Sequence, residues 1–161
     1  MAFTIKVEGL TELISKMDKA PKNAEKVAAK ALYEGAGVMA DAVSQAVQGI
    51  ATEPFKYASR GKTRKPSPEE KALVASAKHG VAKFRKNGMS VNTSVGFQNA
   101  GYGQIGNKTK PIPLIANAIN SGTSFMQKQP FIRKAFSQKK GAAEAAIEAG
   151  ILKYEDELEI G

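Results

Sequence analysis

Residues 101–106 spell Gly-Tyr-Gly-Gln-Ile-Gly, which matches the G-x-G-x-x-G fingerprint of dinucleotide-binding proteins. In a working site the third glycine opens a helix that holds the pyrophosphate, and an acid about 20 residues later binds the ribose. Here Asn-Lys-Thr-Lys-Pro-Ile-Pro follows Gly106, and no acid occurs between Glu70 and Glu144. A P-loop is excluded as well, because its lysine must directly follow the last glycine. We therefore predict a flexible loop here and no cofactor site.

The other residues with catalytic potential lack partners at useful spacings. The chain has one histidine, His79, and no cysteine, which excludes thiolate chemistry, disulfides and cysteine-ligated metals. Two pairs of carboxylates, Glu34 with Asp41 and Glu144 with Glu148, stand one or two helical turns apart, which is ordinary for a solvated helix face. These patterns predict a protein that is not an enzyme and that has no catalytic residue, metal or cofactor.

Charge is strongly segregated along the chain. Residues 56–140 carry seventeen Lys or Arg and only two acids, Glu69 and Glu70. Residues 1–55 carry six bases and seven acids, and residues 141–161 carry one base and six acids, within a net charge of +9. Such a distribution is typical of a surface that meets an anionic partner: nucleic acid, a membrane or the acidic face of another subunit. The basic middle and the acidic end are also able to pair between copies of the chain.

Two long loops, residues 49–66 and 98–111, are predicted to hold the contact residues. Loops of this length in a small domain are functional or disordered. Three interpretations stay open: a solvated loop, contact with DNA phosphates, or contact with an acidic protein ring. Sequence-specific reading of DNA is not predicted, because the chain has no helix-turn-helix, zinc-finger or RNA-recognition pattern. The candidate contacts with a partner or a DNA channel are Lys56, Arg60, Lys62, Arg64, Lys65, Lys108 and Lys110.

The elements that position these loops predict an α+β fold in a single domain over residues 1–161. One long N-terminal helix and a C-terminal helix are expected to pack on a small antiparallel sheet. Alternating apolar residues predict a strand over 3–7, and helical spacing predicts a short helix over 10–19. Small and apolar residues then keep a helical period from Lys22 to about Gln48, a face that lets another backbone approach closely. No signal peptide and no membrane-spanning run is predicted.

Local signals predict the remaining elements. Ser67-Pro-Glu-Glu70 is a capping box with proline at the first helical position, so a helix is expected from Pro68 to about Lys78. Asn87-Gly88, at the centre of a turn over 86–89, predicts a β-hairpin over 82–97. A short helix is expected after Pro113, ending near Gly122. An extended stretch at Phe125-Met126 follows, and Pro130 opens the last helix.

The order of these segments resembles the small tail-completion proteins, also called neck or head–tail joining proteins, of long-tailed bacteriophages. Residues 5–13, Ile-Lys-Val-Glu-Gly-Leu-Thr-Glu-Leu, are similar to the strand-Gly-Leu-x-x-Leu opening of that family. Residues 116–123 are similar to its segment ending in Gly-Thr, and residues 129–136 resemble its Pro-Phe-(Leu/Ile)-Arg-Pro-Ala signature. The chain departs from the family at Ser121, where an acid is usual, and at Lys134, where a proline is usual.

The resemblance implies a structural role in the virion. Such a protein sits in the neck, joins the head connector or stopper to the tail terminator or tail tube, and is assembled in the bacterial host cytoplasm. It works as a homo-oligomeric ring, usually of six copies, with possible non-specific contact to genomic DNA in the channel and no membrane. The segregated charge agrees, because unlike surfaces that pair head-to-tail close rings. The alternative is a bacterial architectural protein that binds nucleic acid without sequence specificity.

Overall fold

The chain is an α+β protein, as the sequence predicts. A computed structural model describes residues 21–77, 80–81, 85–87, 90–93, 95–97 and 100–154. The helices of this part are α1 Pro21–Gln48, α2 Pro68–Ser76, α3 Ile112–Ser121 and α4 Phe131–Tyr154. The strands, which pair two by two, are β1 Gly80–Val81 with β4 Val95–Gly96, β2 Arg85–Asn87 with β3 Ser90–Asn92, and β5 Tyr102–Ile105 with β6 Lys108–Pro111.

The long helix α1 lies where its periodicity predicts it. Pro21 is its first residue, a position at which a proline loses no hydrogen bond because the amide would be unpaired anyway. The helix ends at Gln48, where Lys71 Nζ donates to the carbonyl oxygens of Gln48 (2.7 Å) and Ile50 (3.1 Å). A cation at this end satisfies free carbonyl groups and opposes the negative pole of the helix dipole.

Internal contacts divide the chain into two compact units. In the first unit, residues 21–40 of α1 pack on residues 139–154 of α4 through small side chains. A Cβ on Gly35 would lie 2.5 Å from Ile147 Cγ1, and one on Gly150 would lie 3.0 Å from Ala31 Cα. The two helices therefore approach each other closely at glycine positions, where an added Cβ would force neighbouring atoms to shift. The buried cluster of this unit is Ala24, Val27, Ala31, Ile147 and Ile151.

The second unit consists of residues 41–80 and 97–138 and contains the larger of the two apolar cores that the described residues form. Helix α2 packs against α3 and β5. The Phe97 and Phe131 rings meet edge to face, with 6.1 Å between their centroids. Buried Asn120 accepts a hydrogen bond from the Ile132 amide (3.2 Å) and so caps the start of α4. The buried core residues are Ala42, Val43, Val47, Ile50, Val74, Ala77, Phe97, Ile112, Ile115, Ala116, Ile119, Met126, Phe131 and Ala135.

The capping box of α2 is confirmed. Ser67 Oγ accepts from the Glu70 amide (3.2 Å), and the Glu70 carboxylate accepts from the Ser67 amide (2.8 Å). Both residues are buried, so each bond satisfies an amide that water does not reach. Helix α2 ends at Ser76, two residues before the predicted boundary.

The prediction of a loop over residues 98–111 is wrong for most of its length. Strands β5 and β6 form an antiparallel hairpin, in which Ile105 pairs with Lys108 and Tyr102 with Pro111. Gly106 has a φ of +56° in the tight turn between the strands, a conformation that favours glycine. Buried Gly103 lies against the Leu73 side chain of α2, where an added Cβ would come within 2.6 Å. The glycines therefore shape a hairpin, and Gly106 lies in its turn and opens no helix.

The other hairpin has the predicted partners in a shifted register. Asn87 pairs with Ser90, so it belongs to β2 and not to the centre of the turn as predicted. The α3 helix and the last helix lie where the sequence places them, and Met126 pairs with Arg64 in an isolated bridge. Outside the described residues lie the predicted strand 3–7, the predicted helix 10–19, His79 and the acidic residues after Tyr154.

Candidate functional site

The loop between α1 and α2 is anchored at its start by a side chain from a distant segment. Gln129 Oε1 accepts from the Ala51 amide (2.9 Å), and Gln129 Nε2 donates to the Ala51 carbonyl oxygen (2.8 Å). One side-chain amide thus binds Ala51 as the backbone of a neighbouring strand would. Gln129 itself is fixed, because its backbone amide donates to the Ile119 carbonyl oxygen (2.8 Å) at the end of α3.

The far end of the loop is anchored by a two-sided backbone bridge. The Arg64 amide donates to the Phe125 carbonyl oxygen (2.9 Å), and the Gln127 amide donates to the Arg64 carbonyl oxygen (2.8 Å). The Glu53 amide also donates to the Pro66 carbonyl oxygen (3.1 Å), which joins the two ends of the loop. The loop is therefore tied to the core of its unit although it has no helix or paired strand of its own.

A buried ion pair lies beneath this loop. Arg64 Nη1 and Nη2 donate to the two carboxylate oxygens of Glu70, each over 2.7 Å, in the bidentate geometry that guanidinium and carboxylate favour. The Arg64 and Glu70 side chains are only 7% and 3% exposed. Nη1 of Arg64 also donates to the Lys65 carbonyl oxygen (2.9 Å). The pair connects the loop to the first turn of α2, because Glu70 simultaneously completes the capping box with Ser67.

The electrostatics of the pair keep both groups charged. Burial alone raises the pKa of the Glu70 carboxyl, but hydrogen bonds from Arg64 and Ser67 and the nearby positive charge outweigh it, so the pKa is lowered from 4.5. The same hydrogen bond to Glu70 raises the pKa of Arg64, against the opposing effect of burial. At neutral pH the carboxylate is therefore ionised and able to hold the guanidinium.

A second carboxylate stabilises the outer part of the loop. Glu53 Oε1 accepts from the Lys65 amide (2.8 Å), and Glu53 Oε2 lies 3.1 Å from Lys56 Nζ. The bond from the Lys65 amide is the main cause that lowers the pKa of Glu53, followed by the bond from Lys56. Glu53 thus pins two separate positions of the loop, one near its start and one near its end.

Two aromatic side chains of the loop are exposed, and the sequence reasoning did not select them. Tyr57 is 86% exposed and Phe55 is 48% exposed. Their rings meet edge to face with 5.4 Å between centroids, and the Arg64 guanidinium carbon lies 5.0 Å from the Phe55 centroid. We call residues 53–65 the basic–aromatic loop. Aromatic residues beside cations were the available sequence signal, since Phe55-Lys-Tyr57 begins the basic run.

Four of the predicted contact residues lie exposed in this loop: Lys56, Arg60, Lys62 and Lys65. Arg64 is a correction, because it is buried and bound to Glu70, and its guanidinium is not available to an external partner. Glu70 follows Arg64 at a separation of 6 residues, a spacing that matches neither a helix nor a strand. The sequence pattern therefore placed Arg64 with the free cations.

The remaining predicted contacts, Lys108 and Lys110, lie on β6. They alternate with Thr109, so they share one face of the hairpin. Lys108 is exposed, whereas Lys110 is partly buried and its charge helps to lower the pKa of Glu70. The structure thus brings the charge of Lys110 close to the ion pair beneath the loop.

The described residues contain no group of three or more His, Cys, Asp or Glu side chains that could hold a metal ion. In the same part of the chain, no helix is long and apolar enough to cross a membrane. No protein-family model, curated protein or solved structure matches the chain. The choice of a function therefore depends on the geometry of the basic–aromatic loop and on the order of the sequence motifs.

Proposed function

We propose that this protein is a structural component of the neck of a long-tailed bacteriophage, where it joins the head connector to the tail tube as a homo-oligomeric ring. The observation that carries the proposal is the basic–aromatic loop, which is held in place by the segments that resemble the tail-completion family. Its mechanism is binding and geometry, and no residue is assigned a catalytic role.

The segments that carry the resemblance anchor the loop. Residues 116–123 supply Ile119, whose carbonyl oxygen binds the Gln129 amide, and Asn120, which caps α4. Residues 129–136 supply Gln129, which holds Ala51 by two hydrogen bonds. Gly122 has a φ of +76°, and a Cβ there would lie 2.9 Å from Lys128 Cβ. The motif residues therefore determine where the loop sits, which supports a role in which the loop makes the contact.

The chemistry of the loop suits a protein partner. The loop carries positive charge on exposed Arg60, Lys62 and Lys65. It also carries exposed apolar surface on Tyr57 and Phe55, which is removed from water when a partner binds. Aromatic residues and arginine are enriched in the energetically important parts of protein interfaces. Because the loop is anchored, little conformational entropy is lost when a partner binds. In the proposed neck, this surface meets an acidic face of a neighbouring subunit, with a buried area of about 800 Å² per partner.

The proposal is tested by deleting the gene from the phage that encodes it and examining lysates by electron microscopy. We expect filled heads and complete but separate tails, because the joint between them is missing. Supplying the protein to such a lysate should restore joined particles. Normal numbers of joined particles in the deletion would reject the proposal.

An architectural nucleic-acid-binding protein is the alternative that the exposed cations Arg60, Lys62 and Lys108 favour. It predicts tight binding of duplex DNA by the monomer, with an affinity that falls steeply with salt. The neck proposal predicts weak DNA binding at about 0.15 M salt, where the Debye length is about 8 Å. Fluorescence anisotropy with a labelled duplex at several salt concentrations separates the two.

A further inference from the structure

The basic–aromatic loop exposes apolar side chains as well as cations. Cations alone are enough to attract an anionic partner, so the exposed apolar surface needs a separate explanation. The Tyr57 side chain is 86% exposed, and its ring contacts the half-exposed Phe55 ring. The same stretch carries the exposed cations Arg60 and Lys62. Exposed aromatic rings among cations match the composition of protein-binding surfaces, where a few aromatic side chains supply most of the binding free energy.

This surface is formed before any partner arrives. Arg64 is fixed by Glu70 and by the Phe125 backbone, and Glu53 holds the Lys65 amide. A further bond within the loop runs from the Lys62 amide to the Ser59 carbonyl oxygen (2.9 Å). The backbone of the loop is therefore ordered before a partner binds, and no rearrangement of the loop is needed. What the partner must supply is a surface of complementary charge and apolar area.

We propose that the basic–aromatic loop of one copy binds residues 155–161 of a second copy. This segment reads Glu-Asp-Glu-Leu-Glu-Ile-Gly, with four carboxylates interleaved with Leu158 and Ile160. The carboxylates are the complement of Arg60 and Lys62, and the two aliphatic side chains are the complement of the exposed rings. The inference rests on the proposed function in one respect: a contact between two different parts of neighbouring copies is the kind that closes a ring.

An acidic peptide with aliphatic residues fits the loop better than nucleic acid does. Duplex DNA offers phosphates, but its backbone buries no aromatic side chain, so Tyr57 would gain nothing from the contact. The Phe55 ring offers less area for the stacking of unpaired bases, because the Arg64 guanidinium carbon lies over it, 5.0 Å from its centroid. A segment that carries both carboxylates and aliphatic side chains uses the charge and the apolar area together.

The test exchanges the charges of the two proposed partners. In one variant, R60E/K62E/K65E, the net charge of the loop becomes negative; in the other, E155K/E157K/E159K, the net charge of the segment becomes positive. Arg60, Lys62 and Lys65 take part in no salt bridge among the described residues, so R60E/K62E/K65E should leave the fold intact, which thermal melting of both variants checks. Assembly is measured by mass photometry and sedimentation velocity over a range of protein concentrations.

Each variant alone is expected to raise the dissociation constant of assembly at least about tenfold, because like charges then face each other. An equimolar mixture of the two is expected to regain assembly, since the acidic loop of one now binds the basic segment of the other. Tyr57→Ala should weaken assembly about tenfold or more, as expected for an aromatic hot spot. Tyr102→Ala is the matched control, because Tyr102 is a tyrosine with comparable exposure (75%) outside the loop, and it should change nothing.

Several results would overturn this inference. These are normal assembly by either charge variant alone, a mixture that fails to assemble, and equal effects of Tyr57→Ala and Tyr102→Ala. Loss of duplex binding by R60E/K62E/K65E with unchanged assembly would assign the loop to DNA instead. Rings that form independently of residues 155–161 would refute the inference and leave the proposed function standing. Wild-type protein that stays monomeric, with normal particles in the deletion, would refute the proposed function itself.

Discussion

The buried ion pair between Arg64 and Glu70 gives the most direct test of how the loop is held. We consider Arg64→Met, which removes the charge and keeps most of the side-chain volume. The Glu70 carboxylate would then be buried without its guanidinium, at a side-chain exposure of 3%. Removing one partner of a buried ion pair costs about 3–5 kcal/mol, because the remaining charge is uncompensated. Small domains have a total free energy of unfolding of only about 5–15 kcal/mol, so the loss is a large fraction of it.

The double variant Arg64→Met/Glu70→Gln separates the ion pair from the capping box. This variant removes both charges. The amide oxygen introduced by Glu70→Gln still accepts a hydrogen bond from the Ser67 backbone amide, which lies 2.8 Å from the Glu70 carboxylate in the wild type. What remains lost is the bidentate pair, and replacing a whole buried pair by uncharged groups is often close to neutral. The double variant should therefore be more stable than Arg64→Met by at least about 2 kcal/mol.

The assay is equilibrium unfolding in urea for the wild type, both single variants and the double variant, followed by far-UV circular dichroism. Hydrogen exchange at the amides of Arg64, Lys65 and Gln127 adds a local readout, since these amides bond within or beside the loop. Two results would refute the reasoning: a cost below about 1 kcal/mol for Arg64→Met, or a double variant whose cost equals the sum of the single costs. Either would mean that the pair does not hold the loop.

Three further predictions concern other parts of the molecule. Gly35→Ala should lower the free energy of unfolding in urea by about 1–3 kcal/mol, because the added Cβ would lie against Ile147 and 2.9 Å from the Ala143 carbonyl oxygen. Gly37 has open space around it, so Gly37→Ala should raise the free energy of unfolding by about 0.5–1 kcal/mol. Equal effects of the two substitutions would contradict the close packing at Gly35. The pKa of Glu70 is lowered from 4.5, so its contribution to stability is fully present above that pH and is lost as the pH falls through the lower value. The protection factors of the loop amides, which correct for the slower intrinsic exchange in acid, should fall over this range. Glu70→Gln should remove most of this fall, and Glu53, whose pKa is also lowered, should supply the rest. Gln129→Ala should lower the free energy of unfolding by about 1 kcal/mol and speed hydrogen exchange of the Ala51 amide. Gln127→Ala keeps its backbone bond to Arg64 and should leave the exchange of Ala51 unchanged. Unchanged Ala51 exchange in Gln129→Ala would show that the Gln129 side chain does not anchor the loop.

The elements that local sequence determines were predictable. Helix α1 has apolar residues at helical spacing over its whole length. The capping box of Ser67 and Glu70 marks the start of α2 within four residues. The β5–β6 hairpin was not predictable in this way, because its strands contain Gly, Lys and Pro and depend on a distant contact between Gly103 and Leu73. Tertiary packing makes strands of residues whose intrinsic preference is for a loop.

The candidate site was predictable in composition and not in geometry. The exposed cations Lys56, Arg60, Lys62 and Lys65 follow from charge density alone. The burial of Arg64 depends on Glu70 being turned back under the loop, and the anchoring by Gln129 depends on a segment 78 residues away. Neither the Arg64–Glu70 ion pair nor the Gln129–Ala51 contact follows the spacing of a helix or a strand. Charge and spacing alone therefore do not show that Arg64 is a structural cation.

The distance along the chain between Ala51 and Gln129 has a consequence for the order of folding during synthesis. During translation, Ala51 leaves the ribosome 78 residues before its side-chain partner does. At about 5–20 residues per second, this interval lasts about 4–16 s, during which the loop lacks its anchor. The anchored form of the basic–aromatic loop is therefore absent from a nascent chain until Gln129 has also emerged, and a contact that needs the anchored loop forms only after that point.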